Sequence, residues 1–135
     1  MEILASYVGA LVVFIVVEAV WIRNVTRPIF ERNIGDIMLP DPHFGAALAF
    51  FLIYQAGLIY FAVLPAAEAG SWLIAAIHGA LLGIIAYGTY ETTNLATLKG
   101  WTLHMAIVDV AWGAAVSAFV AVAGYFILML PIWGA

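Results

Sequence analysis

Residues 103–130 read LHMAIVDVAWGAAVSAFVAVAGYFILML, an apolar run interrupted by one carboxylate, Asp109, with a histidine, His104, at its start. A helix rises 1.5 Å per residue, so about 20 apolar residues cross the hydrocarbon core of a bilayer. Three more runs of this kind lie upstream, at 3–22, 44–64 and 72–90. Composition agrees: 67% of the 135 residues are hydrophobic and 9% are charged, where a soluble domain averages about 25% charged. The expectation is an all-α, polytopic membrane protein: a single four-helix transmembrane domain over residues 1–135. The first run is read as a retained span. Glu2 stands where a leader would be basic, and the run is too long for a leader's apolar core.

Charge placement sets the expected orientation. All four Lys and Arg residues fall in two loops, with Arg23, Arg27 and Arg32 between the first two spans and Lys99 between the last two. The loop between them, Pro65 to Ser71, carries only Glu68. The positive-inside rule then puts loops 23–43 and 91–102 in the cytoplasm and both termini outside. Trp21, Trp72, Trp101 and Trp133 fall at span ends, where indoles favour the headgroup level; Trp112 lies deeper. The net charge of −4 comes with no basic patch, so nucleic acid is not an expected partner. The chain has no cysteine, which excludes thiol catalysis, thiolate metal sites and disulfides.

Between the first two spans, Ile29, Phe30, Ile34, Ile37 and Met38 recur at helical spacing among Glu31, Arg32 and Asp36. This predicts a short amphipathic helix on the cytoplasmic leaflet, started by Thr26 as N-cap with Pro28 in its first turn. Ser71 is expected to cap the third span and Gly100 to end it. Gly79 and Gly83 in the third span, and Gly113, Ser117, Ala121 and Gly124 in the fourth, form small-residue stripes. Such stripes mark close helix contact, within one bundle or across a dimer.

Polar groups inside the spans carry the functional signal. A carboxylate at the centre of a spanning helix costs ~2.5–3.5 kcal/mol on insertion scales, so it faces a partner, a cavity or a function. Glu18, Glu91, Asn94, His104 and Asp109 all map to the cytoplasmic half. Val17-Glu18-x-x-Trp21 and Val108-Asp109-x-x-Trp112 echo each other, and each places a carboxyl beside an indole on one helix face. A buried indole N–H needs an acceptor, and a buried carboxyl is one candidate. His78 lies toward the outer end of the third span, in the opposite leaflet from His104, so the two cannot share one haem iron. His104 and Asp109 are five apart and point roughly 140° away from each other on a helix. No metal site and no cofactor are assigned.

The run from Tyr87 through Thr89, Tyr90, Glu91, Thr92, Thr93, Asn94, Leu95, Ala96, Thr97, Leu98, Lys99, Gly100 and Trp101, followed by Asp109-x-x-Trp112-Gly113, resembles the signature of a family of small bacterial four-span inner-membrane proteins, a domain of unknown function (DUF2177-like). Arg27-Pro28-x-Phe30 and the acid before Trp21 agree with it. The resemblance covers nearly the whole chain. It implies a four-span protein of the bacterial inner membrane and carries no activity with it.

Three functions remain in view. A carboxylate-lined pocket open to the cytoplasm, with aromatic walls, would bind or transport a small cationic, amphipathic or lipid-like molecule. Its candidate residues are Glu18, Trp21, Tyr87, Tyr90, Glu91, Asn94, Asp109 and Trp112. Superficially the chain is similar to small multidrug transporters, which are also short and four-spanned with a glutamate in the first helix. It departs from them in its one-sided charge bias and in the position of Glu18 near a span end. The second function is an accessory subunit of a membrane complex or a homo-oligomer. The third is an intramembrane lipid enzyme using Glu18, Glu91 and Asp109 as acid and base. Membrane lipid is the partner common to all three.

Overall fold

A computed structural model of the protein describes residues 1–134. Four helices long and apolar enough to cross a membrane follow one another: α1 (Glu2–Ile37), α2 (Phe44–Ala69), α3 (Trp72–Thr97) and α4 (Leu103–Leu128). A short 3-10 turn, Pro131–Trp133, follows α4.

Two prolines shape the first two helices. In α1 a π turn, Ile22–Thr26, separates the regular stretch Glu2–Trp21 from the stretch Arg27–Ile34. In α2 a π turn, Ile59–Val63, stands in the same relation to the stretch Leu64–Ala69. Each π turn is followed, one residue later, by a proline: Pro28 and Pro65. Proline has no N–H, and its ring collides with the carbonyl four residues back. The wider turn moves the bonding along by one residue, so that Arg27 N–H reaches the Ile22 carbonyl and Leu64 N–H the Ile59 carbonyl. The carbonyl of Phe61, four residues before Pro65, accepts instead from His78 Nδ1 at 3.0 Å. His78 therefore satisfies a backbone group that a proline leaves without its usual donor.

These turns lengthen the helices beyond the sequence-based spans. Thr26 does not start a helix: its backbone is helical, with φ −63 and ψ −52, and its side chain makes no cap. The amphipathic piece is present as a continuation of α1. The loop expected at Pro65–Ser71 shrinks to Gly70 and Ser71, with Gly70 at φ +63 ending α2. Ser71 occupies the N-cap position of α3, but its hydroxyl makes no capping bond. α3 runs past Tyr90 to Thr97 and is capped by an extended Leu98. Gly100 lies beyond that cap with φ +82, and a Cβ there would come within 2.6 Å of the Asn33 carbonyl oxygen. Only glycine suits both demands.

α3 and α4 form the tightest pair. A Cβ on Gly79 would lie 2.7 Å from the Ser117 carbonyl oxygen and 2.8 Å from Ala121 Cβ, and one on Gly83 would overlap the Gly113 carbonyl. The two small-residue stripes thus face each other inside the bundle. Across the other side of α4, α1 buries Ser6, Ala10, Phe14 and Glu18, one residue every four, and Ser6 Oγ donates to the Gly124 carbonyl at 2.7 Å. α2 leans on α1 through Phe51 and Tyr54 against Phe14, and it packs on α3 mainly from its π turn onward. Its first half stands away from α3. At the same end, Ile29 and Ile34 pack with Trp101 and Met105, with Phe30 edge-on to Trp101 at 5.0 Å. The amphipathic segment is thereby docked on the α3–α4 connection.

Adding one methyl at the α3–α4 contact tests this packing. Gly83→Ala should destabilise the bundle by about 1–3 kcal/mol, as overpacking does. Gly88→Ala, where a Cβ would meet nothing within 4 Å, should leave thermal unfolding followed by circular dichroism in detergent unchanged.

Candidate functional site

Glu18 belongs to the same four-residue stripe as Ser6, Ala10 and Phe14, so the stripe that packs α1 against the bundle also takes this carboxyl inside. It is 6% exposed. Trp112 Nε1 donates to Glu18 Oε2 at 3.0 Å, and the Tyr87 hydroxyl donates to the same oxygen at 3.4 Å. Tyr87 stands there because α4 has a glycine opposite it: a Cβ on Gly113 would overlap the Tyr87 ring. The Trp112 indole is stacked flat on Trp21, with centroids 4.0 Å apart and planes 2° from parallel.

A second polar centre lies between α3 and α4. Glu91 is fully buried, and its Oε1 accepts from Trp101 Nε1 at 2.8 Å. Its Oε2 has no donor. Asp109 is a neighbour of Glu91, but no bond between the two carboxyls satisfies Glu91 Oε2. The two Val-acid-x-x-Trp segments therefore meet without repeating each other's bonds. Because α1 and α4 run antiparallel, twelve residues on from the Ser6–Gly124 bond comes Glu18–Trp112, and three further on Trp21 falls opposite Asp109. Trp112 reaches Glu18, yet Trp21 Nε1 is buried without an acceptor and Asp109 adjoins Glu91.

Beside these centres is a half-open cavity of about 580 Å³. Its wall draws Glu18, Ile22, Thr26 and Phe30 from α1, and Ala46, Ala47, Phe50 and Phe51 from the half of α2 that stands away from α3. Ala86, Tyr87 and Tyr90 of α3 and Asp109 of α4 complete it. The lining residues Ile22, Phe50 and Tyr90, one from each of α1, α2 and α3, are exposed. No lysine, arginine or histidine lines it. A volume of this size is in the range of small-molecule pockets, about 300–1,000 Å³.

The sequence-based candidates divide accordingly. Glu18, Trp21, Tyr87 and Trp112 form one constellation, Glu91 and Asp109 the other, and Tyr90 is a cavity wall edge-on to Trp101 at 5.8 Å. Asn94 is half-buried and does not line the cavity. His104 is exposed. Among the described residues no three His, Asp or Glu side chains converge as a metal-binding set. One expectation is corrected: Glu91 does not open a loop at 91–102, because α3 continues a further six residues, to Thr97. Trp101 is 8% exposed and bonded to Glu91.

Sequence reasoning also missed Tyr54, whose hydroxyl pairs with Ser117 Oγ at 2.6 Å and whose ring is edge-on to Tyr87 at 6.2 Å. It missed Gln55, which is 1% exposed with both amide atoms unpartnered. Gln55 was visible as an amide in an otherwise apolar span. Tyr54 carried no such signal, since tyrosine is common in membrane helices.

A family model described as "Predicted membrane protein (DUF2177)" matches residues 3–126. No curated protein and no solved structure matches the chain.

Three substitutions test the buried polar groups. Trp101→Phe removes the donor to Glu91 and should cost about 1–3 kcal/mol of stability, whereas Glu91→Gln keeps an acceptor for Trp101 and should cost less. Gln55→Met conserves volume and removes two unpartnered polar atoms, so its melting temperature should equal or exceed that of the parent protein.

Proposed function

The chain belongs to the DUF2177 family of predicted membrane proteins, and from that premise we propose that it binds or transports a small amphipathic, lipid-like molecule in the cavity between α1 and α2. The observation that carries this reading is the composition of the wall. Apolar and aromatic side chains from α1, α2 and α3 surround two carboxyls, Glu18 and Asp109. An apolar tail fits the Phe50, Phe51, Ala46 and Ala47 side, and a polar head meets the acids.

Energetics support the same reading. A carboxylate inside a spanning helix is costly unless it is paired. Both donors to Glu18 end on Oε2, which leaves Oε1 for whatever enters the cavity. The exposed apolar and aromatic lining residues Ile22, Phe50 and Tyr90 suit a ligand that arrives from the bilayer. Placement in the bacterial inner membrane, with the cavity in the cytoplasmic leaflet, is part of the proposal. It is supported by the position of Arg23, Arg27, Arg32 and Lys99, all at the cavity's end of the bundle.

The test is occupancy of the cavity. Protein in nanodiscs is titrated with a panel of dodecyl amphiphiles of differing head group, and binding is read from the emission of the stacked Trp21 and Trp112. Native mass spectrometry checks for copurified molecules. At least one amphiphile should bind saturably to the parent protein, and Ala86→Phe, which fills the cavity, should lose that binding while remaining folded. Saturable binding by none of the panel, with no copurified molecule, defeats the proposal. So does a folded Ala86→Phe that binds as the parent does.

A further inference from the structure

We infer that the head group selected by this cavity is a primary ammonium, held between Glu18 Oε1 and the Asp109 carboxyl. The inference rests on the reading of the cavity as a binding site and specifies the chemistry of its ligand.

The argument is a count of donors and acceptors. Three carboxyls, those of Glu18, Glu91 and Asp109, crowd one end of the bundle, and the donors bonded to them are Trp112, Tyr87 and Trp101. Two of those donors converge on a single oxygen of Glu18, and the third serves Glu91 Oε1. Glu91 Oε2, in a side chain with no exposed surface, has no donor at all. It adjoins Asp109, which itself lines the cavity. The site is therefore rich in acceptors and poor in donors, and no cationic side chain contributes to its wall.

A ligand that corrects this imbalance must bring donors and positive charge. A primary ammonium carries three N–H donors on one compact charge. Bonds from such a cation to carboxylates are about twice as strong as neutral ones. Tyr87 and Tyr90 line the same cavity, and an aromatic ring attracts a cation placed over its face. A carboxylate or phosphate head would instead meet two acids and no cation. A quaternary ammonium keeps the charge and loses every donor. The expected order of affinity is primary amine, then quaternary ammonium, then alcohol, with carboxylate last.

The experiment compares four probes sharing one tail: dodecylamine, dodecyltrimethylammonium, dodecanol and dodecanoate, titrated into nanodisc-embedded protein with emission and melting temperature as readouts. Dodecylamine should bind tightest. Asp109→Asn and Glu18→Gln should each weaken dodecylamine by about ten- to a hundredfold, the worth of one or two charge-assisted bonds, and leave dodecanol nearly unaffected. If Glu18→Gln fails to fold, Asp109→Asn, whose carboxyl anchors no indole, carries the comparison. Equal binding of dodecanol or dodecanoate and dodecylamine overturns the inference and leaves the cavity a binding site. Undiminished dodecylamine binding by the folded acid variants also overturns it. Failure of all four probes removes the inference, and, where no copurified molecule is found either, the reading beneath it as well.

Discussion

The contact of α3 with α4 through glycine is the constraint on which the rest of this bundle depends. Gly83 lies so close to Gly113 that neither helix has room for a side chain there. In lipid no hydrophobic effect draws helices together, because the tails are as apolar as leucine. Close backbone approach and interhelical hydrogen bonds have to do so. The same glycine of α4 accepts the Tyr87 ring over its Cα. Tyr87 in turn reaches Glu18 on α1 and stands beside Tyr54 of α2. One missing side chain on α4 thus positions polar groups from the other three helices.

The second constraint is polar satisfaction. Water is not at hand in the hydrocarbon core to bond a stray N–H or C=O, so each buried polar group looks for a partner within the protein. Three indoles at one end illustrate the outcome. Trp112 gives its N–H to Glu18, and Trp101 gives its own to Glu91. Trp21 is stacked on Trp112 with its N–H unpartnered. At the other end, His78 supplies the donor that Pro65 cannot offer to the Phe61 carbonyl. The unpartnered atoms that remain, at Glu91, Gln55 and Trp21, are exceptions that stand out because satisfaction is the rule.

The prolines connect backbone chemistry to the shape of the cavity. Pro28 and Pro65 each follow a π turn, and π turns are frequent at functional sites. In α1 the π turn itself supplies Ile22 and Thr26 to the cavity wall, and the helical continuation supplies Phe30. In α2 the π turn marks the point from which the helix packs on α3, and the half before it stands off. The cavity lies between that half and α1, with α3 closing it behind. A chain with ordinary α-helical turns at both places would run its first two helices on different paths.

The four apolar runs, the one-sided placement of Lys and Arg, and the acids within spans were all legible along the chain. Each depends on local composition alone, and the cost of polar surface in a bilayer acts on each segment separately. The assignment of Glu18, Glu91, Asn94, His104 and Asp109 to one half of the bundle followed from helix direction and residue count. Tertiary structure decided which face each helix turns inward. Buried and lipid-facing sides of these helices are equally apolar, so composition marks no inward stripe. That is why Glu18 and Glu91 were open to reading as boundary residues. It decided, too, that the two Val-acid-x-x-Trp segments meet through Trp112 and Glu18 while Trp21 Nε1 is left without an acceptor. Those pairings depend on how closely glycine lets backbones approach and how a proline bends a helix, and both are properties of two segments in contact rather than of either one alone.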